Sequence, residues 1–136
     1  MNTDAAPDLK NGRNTSLLLK AETEKILGCA FDVLNEVDHG FHEKIYENSM
    51  AMAFRIVAIP FDQQRKFPVL FRGQPVGEFV PDLLVFETVI VDPKVIESIT
   101  DHERGKMLNY LRISKMRLGL ILNFRYPRLQ WERVVL

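Results

Sequence analysis

Residues 81–96 read PDLLVFETVIVDPKVI, and this stretch decides the fold because it has the pattern of a β-hairpin. Two runs rich in Val, Ile and Leu are separated by Phe-Glu-Thr at 86–88, a length that is common for hairpin loops. If these three residues form the loop, Val85 pairs with Val89, and that one pair sets the register of the whole hairpin. An antiparallel hairpin is therefore the first prediction.

The hairpin register brings three polar side chains together. Asp82 falls directly opposite Asp92, and Lys94, two residues further along, projects from the same face of its strand. Carboxylates suit Mg²⁺ or Mn²⁺, which is held by one or two of them together with substrate phosphate. A lysine in such a site can position or help deprotonate an attacking water. The alternative is that the aspartates are solvated strand ends and the lysine an ordinary exposed one, although Asp is depleted in strands.

The apolar pattern on either side of the hairpin completes the fold prediction. Apolar residues recur at helical spacing in two segments before it, and Ile59-Pro60 stops the second of them. The predicted elements are helices at 17–37, 43–58 and 101–114, and strands at 62–72, 76–86, 89–96, 118–122 and 131–136. Their order predicts an α/β fold with a central mixed β-sheet flanked by helices, in which the third helix crosses over to a further strand.

Length and composition limit the class of protein. A chain of 136 residues, 46% hydrophobic and 26% charged, has the size and composition of one globular domain. No apolar run approaches the ~18 to 20 residues that span a bilayer. Residues 1–16 are polar and lack the apolar region of a signal peptide, so they are predicted to form a disordered tail before a single domain at 17–136. We therefore expect a cytoplasmic protein with no membrane partner.

Positive charge is concentrated in the C-terminal part of the chain. Residues 101–136 contain eight Lys/Arg and three Asp/Glu, whereas residues 1–100 contain ten and fifteen. This asymmetry makes Lys106, Arg104 and Lys115 candidate contacts to the phosphates of DNA or RNA. The alternative is that these side chains only solvate helix and strand exteriors.

Two motifs in the sequence resemble one known family. Pro81-Asp82 followed by Asp92-x-Lys94 resembles the signature of the PD-(D/E)XK nuclease superfamily. Residues 40–46, GFHEKIY, match the G-x-x-E-x-x-Y motif of the small GxxExxY proteins of that superfamily. Further similarity lies in KVIE, LNYL and GLILNF at 94–97, 108–111 and 119–124, so the resemblance covers about residues 22–136.

The resemblance implies a restriction-endonuclease-like core and a metal-dependent nuclease site. Asp82 and Asp92 correspond to metal ligands for Mg²⁺ or Mn²⁺, Lys94 to the catalytic lysine, and Glu43 to an auxiliary acid carried by a helix. Without the resemblance, Glu43 is simply an acid in the first turn of a helix, where the helix dipole favours it.

Three departures from the family pattern leave two functions open. The usual Glu-x-Lys is Asp92-Pro93-Lys94, in which the acid is shorter by one methylene and the proline is expected to distort the strand. Lys106 stands where the family usually has Gln. The retained polar side chains favour a nuclease acting on DNA or RNA, whereas the departures favour a catalytically inactive binding or assembly module with the same fold.

Overall fold

The computed structural model describes residues 17–136, and the predicted tail at 1–16 lies outside them. The helices are α1 (Lys20–Val37), α2 (Glu43–Ile56) and α3 (Asp101–Ser114). The strands are β1 (Phe61–Gln63), β2 (Phe67–Phe71), β3 (Gln74–Phe79), β4 (Leu83–Val85), β5 (Val89–Lys94), β6 (Leu118–Asn123) and β7 (Gln130–Val135). None of the three helices is long and apolar enough to cross a membrane.

Five of the strands form one mixed sheet in the order β1-β4-β5-β6-β7. Three neighbouring pairs are antiparallel, and β5 and β6 are parallel because α3 carries the chain back across the sheet between them. The fold class expected from the sequence, an α/β fold with a central mixed sheet flanked by helices, is confirmed.

The sheet separates two apolar clusters, because side chains alternate between the faces of a strand. On one face, α1 and α2 cover residues such as Val85, Val89 and Leu120. On the other face, α3 covers a smaller set that includes Leu84 and Ile90. Because Ile90 faces α3, Asp92 and Lys94, two and four residues further along β5, project from the same face of the sheet.

Two local features fix α3 against the sheet. At its start, Thr100 and Glu103 form a capping box. The Thr100 side chain accepts a backbone N–H of the first turn, and the Glu103 carboxylate accepts the backbone N–H of Thr100. Further along, the side chain of Met107 occupies the space that a Cβ at position 119 would need. Gly119 therefore allows the helix to lie close to β6.

The long strands predicted at 62–72 and 76–86 are wrong, because each is interrupted. Gln64 has a left-handed backbone, with φ 65°, which turns the chain between β1 and β2. Pro81 has no N–H with which to continue a ladder between β3 and β4. As a result β2 and β3 leave the main sheet and form a two-stranded sheet of their own. The second helix also ends two residues earlier than predicted, and Ala58 adopts φ 60° in the turn that follows.

Candidate active site

A pocket of about 210 Å³ opens on the α3 face, where β4 begins and β5 ends. Two acidic aspartates, one glutamate and one lysine line it together with aromatic walls from β3 and α3; these residues are Glu43, Asp82, Asp92, Lys94, Phe79 and Tyr110. The structure therefore gathers the four candidate catalytic residues, which are 51 positions apart at most in the sequence, around one space.

The register of the hairpin is the one that the three-residue loop predicts. Val85 pairs with Val89 across residues 86–88, and the pairing continues without a shift to the start of β4. Asp82 follows this ladder outwards and lies in a bend just before β4; it lines the same pocket as Asp92, and its charge acts on the Asp92 carboxylate. On the same strand, Lys94 Nζ lies 3.5 Å from the nearer carboxylate oxygen of Asp92.

Proline in the centre of the sheet is tolerated because β4 is short. The partner of Leu83, the first residue of β4, is Val91, so beyond that point β5 pairs only with β6. The carbonyl of Lys94 accepts the N–H of Phe124 after β6, so by alternation the nitrogen of Pro93 points to the open side. The parallel register runs through Pro93 without a bulge. The expectation of a distorted strand is therefore wrong.

Glu43 reaches the open side of β5 from the first turn of α2. Its carboxylate accepts the backbone N–H of Val95 at 3.3 Å. This N–H points to the same side as the nitrogen of Pro93, where β4 is absent. Glu43 therefore replaces the missing strand as a hydrogen-bond partner while it lines the pocket.

The other two residues of the G-x-x-E-x-x-Y motif place Glu43 at the sheet. Gly40, with φ 84°, donates its N–H to the carbonyl of Phe124, and Tyr46 stacks on the same phenylalanine ring at 4.5 Å. The Tyr46 hydroxyl also donates to the Asp38 carbonyl and accepts the Phe41 N–H. The loop before α2 is thus tied to the end of β6.

Three carboxylates and one lysine line the pocket, so negative charge exceeds positive charge there. Burial raises the pKa of Asp92 to about 6, and the charge of Asp82 adds to the effect while Lys94 opposes it. Burial also raises the pKa of Asp82, helped by the neighbouring charge of Glu47. The pKa of Lys94 is raised as well, because Asp92 and Glu43 outweigh the opposing effect of burial. An additional cation would relieve this repulsion.

Glu47 is a residue beside the site that the sequence reading missed. It is buried, and its carboxylate accepts hydrogen bonds from the side chains of Lys44, Gln63 and Gln64 at 2.7–3.2 Å. Burial alone would raise its pKa, but these bonds lower it. The backbone N–H of Gln64 in turn donates to the carbonyl of Asp82 at 3.1 Å. The available signal was the four-residue spacing of Glu43 and Glu47, which puts both on one helix face.

Tyr110 is the second residue that the sequence reading did not place in the site. It lies on α3, lines the pocket, and stacks on Phe79 with ring centroids 4.2 Å apart. Lys106 is exposed one helical turn before it and is not among the pocket-lining residues. The pocket wall on α3 is therefore aromatic where a cation was expected.

The remaining predicted nucleic-acid contacts lie away from the pocket. The guanidinium of Arg104 is held by Glu132 on β7 and by Asp101, at 2.6–2.8 Å. Lys115 ends α3 in a left-handed conformation, near the start of β6 and so at the end of the sheet opposite Lys94. The structure therefore does not bring Arg104 and Lys115 together with the four pocket residues.

The donor chemistry of the pocket fits Mg²⁺ only as a partial ligand set. Within residues 17–136, no group of three or more His, Cys, Asp or Glu side chains is placed to hold a metal ion by itself. Asp82 and Asp92 are the two aspartates that line the pocket, and Glu43 already accepts a backbone N–H. Mg²⁺ usually takes one or two carboxylates and keeps waters or substrate phosphate as its other ligands. The pair is sufficient on that basis.

Comparisons with known proteins identify the family of this chain. A family model described as the PD-(D/E)XK nuclease superfamily matches residues 20–134. This span includes all three helices and all seven strands except the last residue of β7. No curated protein and no solved structure matches the chain significantly.

Proposed function

The chain belongs to the PD-(D/E)XK nuclease superfamily, and from that premise we propose that it is a Mg²⁺-dependent nuclease that hydrolyses phosphodiester bonds in DNA or RNA. The observation that carries the proposal is the convergence of Asp82, Asp92, Lys94 and Glu43 on one pocket at the open end of β5. Superfamily members typically use divalent metals, and two partly buried carboxylates with raised pKa values form an environment that favours a cation.

Each residue has a distinct role in this proposal. Asp82 and Asp92 would hold Mg²⁺ or Mn²⁺, which when bound would stabilise negative charge on the scissile phosphate. Lys94, kept charged beside Asp92, donates hydrogen bonds to the attacking water or to a phosphate oxygen. Glu43 holds the end of β5 through Val95 and so fixes the direction of Lys94.

A catalytically inactive binding or assembly module is the second candidate. It is favoured by the small number of metal ligands among residues 17–136 and by the aromatic rather than basic wall that Tyr110 contributes. The shorter acid at position 92 points in the same direction. The two candidates differ in one property, since only the enzyme requires a divalent ion.

The test compares metal binding and cleavage in matched variants. Mn²⁺ or Mg²⁺ is expected to raise the melting temperature of the wild-type protein. The free energy of unfolding should rise by about 2.7 kcal/mol when the metal concentration is a hundred times its Kd. With metal, the wild-type protein should also nick supercoiled DNA or cleave RNA. Asp82→Asn and Asp92→Asn should lose both responses. Lys94→Ala should lose cleavage while it keeps metal stabilisation. Glu36→Gln, which removes an exposed acid on α1, is the control and should behave as wild type.

The inactive-module candidate makes the opposite prediction. If wild-type protein shows neither metal stabilisation nor cleavage of either nucleic acid, the nuclease proposal is wrong. Metal stabilisation that survives in both aspartate variants would place the ion elsewhere and would also contradict the proposed site.

A further inference from the structure

The β2–β3 hairpin ends in a strained two-residue turn. Arg72 and Gly73 connect Phe71 to Gln74, with φ 49° and 79° at the two turn positions. Positive φ at both positions is the pattern of a type I′ turn, which favours Asn or Asp followed by Gly. Arg72 takes the left-handed conformation at the first turn position, as seven other non-glycine residues within 17–136 do.

Large apolar side chains surround this arginine and are exposed to solvent. Leu70, Phe71 and Val76 are 56%, 62% and 63% exposed. The guanidinium of Arg72 lies over the ring of Phe71, at 5.2 Å from its centroid. The tip is therefore an apolar wedge with one cation, and nothing in residues 17–136 covers it.

The base of the hairpin belongs to the wall of the pocket. Phe79, at the end of β3, stacks on Tyr110 and packs against Phe67 of β2. The chain continues from Phe79 through Val80 directly to Pro81 and Asp82. β3 has six residues, so the tip stands about 20 Å from this base. A molecule held in the pocket and extending along the hairpin would meet the tip.

We propose, on the basis of the proposed nuclease function, that the tip at residues 70–76 is a DNA-contacting wedge that enters a groove of the duplex beside the cleavage site. A two-stranded β-ribbon fits the major groove, where apolar side chains contact the methyl group of thymine. The charge agrees with this partner, since the hairpin and its approach at 66–79 carry Lys66 and Arg72 against Glu78.

Pairing of this hairpin with a second copy of the chain is disfavoured by its edges. Pro75 removes a backbone donor from β3, and the register shifts between Val69 and Leu70, so that Val76 has no partner across the ladder. A proline and a bulge both hinder the addition of another strand. DNA, which is contacted by side chains at the tip, is not subject to this restriction.

The test measures binding of a fluorescein-labelled 30-base-pair duplex without divalent metal, so that cleavage plays no part. Phe71→Ser should weaken binding about tenfold, the range expected for loss of one aromatic contact to a base. Its dependence on salt should stay unchanged. Arg72→Asn should weaken binding and reduce the slope of log K against log salt by about 1. Lys25→Gln, which removes an exposed charge on α1, is the control and should bind as wild type.

Weaker DNA binding by Arg72→Asn would not result from a loss of folding, because Asn tolerates the backbone conformation of position 72 better than Arg does. Arg72→Asn should therefore melt no lower than wild type. The inference is overturned if wild type does not bind the duplex or if both tip variants bind it as tightly as wild type. It is also overturned if the tip variants alter the oligomeric state of the protein but not its affinity for the duplex. The nuclease proposal fails separately, by the absence of metal-dependent cleavage in protein that still binds DNA through the tip.

Discussion

The two halves of β5 differ in what lies beside them. Residues 89–91 have β4 on one side and β6 on the other, and they are buried apolar residues. Residues 92–94 have only β6, and two of the three carry charge. A central strand can hold acids and a proline only where one neighbour stops. The pocket therefore results from the short length of β4, and the following predictions test that contrast.

The largest effect is expected from Val91→Pro, in the fully paired half. The nitrogen of Val91 points to the same side as that of Pro93, but at this position Leu83 of β4 is opposite. The change removes a ladder hydrogen bond from a buried strand and should cost about 3 kcal/mol or more. Urea unfolding monitored by circular dichroism would measure it. A Val91→Pro protein as stable as wild type would show that the two halves are equivalent.

A smaller effect of opposite sign is expected from Asp92→Asn in the open half, measured without divalent metal. The pKa of Asp92 is raised from 3.8 to about 6 in the folded protein. The folded state therefore holds a proton that the unfolded state has released, and stability falls as pH rises from about 4 to about 6. At pH 7 the variant should be more stable by about 1–3 kcal/mol, while at pH 4 the difference should shrink to about 0.5 kcal/mol.

The pH dependence of this second prediction separates charge from packing. The ion pair with Lys94 lowers the pKa of Asp92 below what burial alone would give, so the loss of this pair is already included in the expected range. Glu36→Gln should show no such change in stability difference between pH 4 and pH 7. If Asp92→Asn is destabilising at both pH values, the aspartate is a structural residue and the proposed metal site loses its basis.

Glu47→Gln is expected to lower the free energy of unfolding by about 1 kcal/mol. It weakens the hydrogen bonds that hold Gln64, whose backbone N–H binds the carbonyl of Asp82. Neutral Gln is a poorer acceptor for Lys44, Gln63 and Gln64, and the Gln64 backbone holds the Asp82 carbonyl. Because the charge of Glu47 raises the pKa of Asp82, that pKa should fall in the variant. Carbon-13 NMR titration of the Asp82 carboxyl would show it. Loss of stability with an unchanged Asp82 pKa would limit Glu47 to packing.

The sequence predicted the parts of the fold that depend on local pattern. The three-residue loop at 86–88 set the hairpin register, because one residue of slip would have moved every apolar side chain to the wrong face. Apolar periodicity found all three helices to within a few residues. The superfamily assignment is confirmed, and the narrower likeness to GxxExxY proteins stays a prediction.

The sequence could not predict features that depend on tertiary neighbours. Strand breaks near Gln64 and Pro81 follow from backbone conformation and pairing, so two long strands were predicted instead of four. Tyr110 lines the pocket, and Glu47 lies beside it, only because α3 and α2 pack at one end of the sheet. Arg104 was predicted to contact phosphate, because the sequence does not show that its guanidinium pairs with Glu132, 28 residues away.

The smallest effect is expected from Pro93→Leu, two residues from Val91 on the same strand. A leucine would restore a backbone N–H, but this N–H would point to the open side, where no β4 residue stands opposite it. The ladder to β6 is complete without it, because Lys94 already accepts the N–H of Phe124 on that side. Pro93 is buried, so the larger leucine changes the packing as well as the backbone, and metal binding is the quantity that isolates the backbone effect. Mn²⁺ affinity should stay within about twofold of wild type, as measured by differential scanning fluorimetry over a series of Mn²⁺ concentrations. A large rise in metal affinity would show instead that the proline displaces Asp92 or Lys94, and the uninterrupted register of β5 would then not describe the working site.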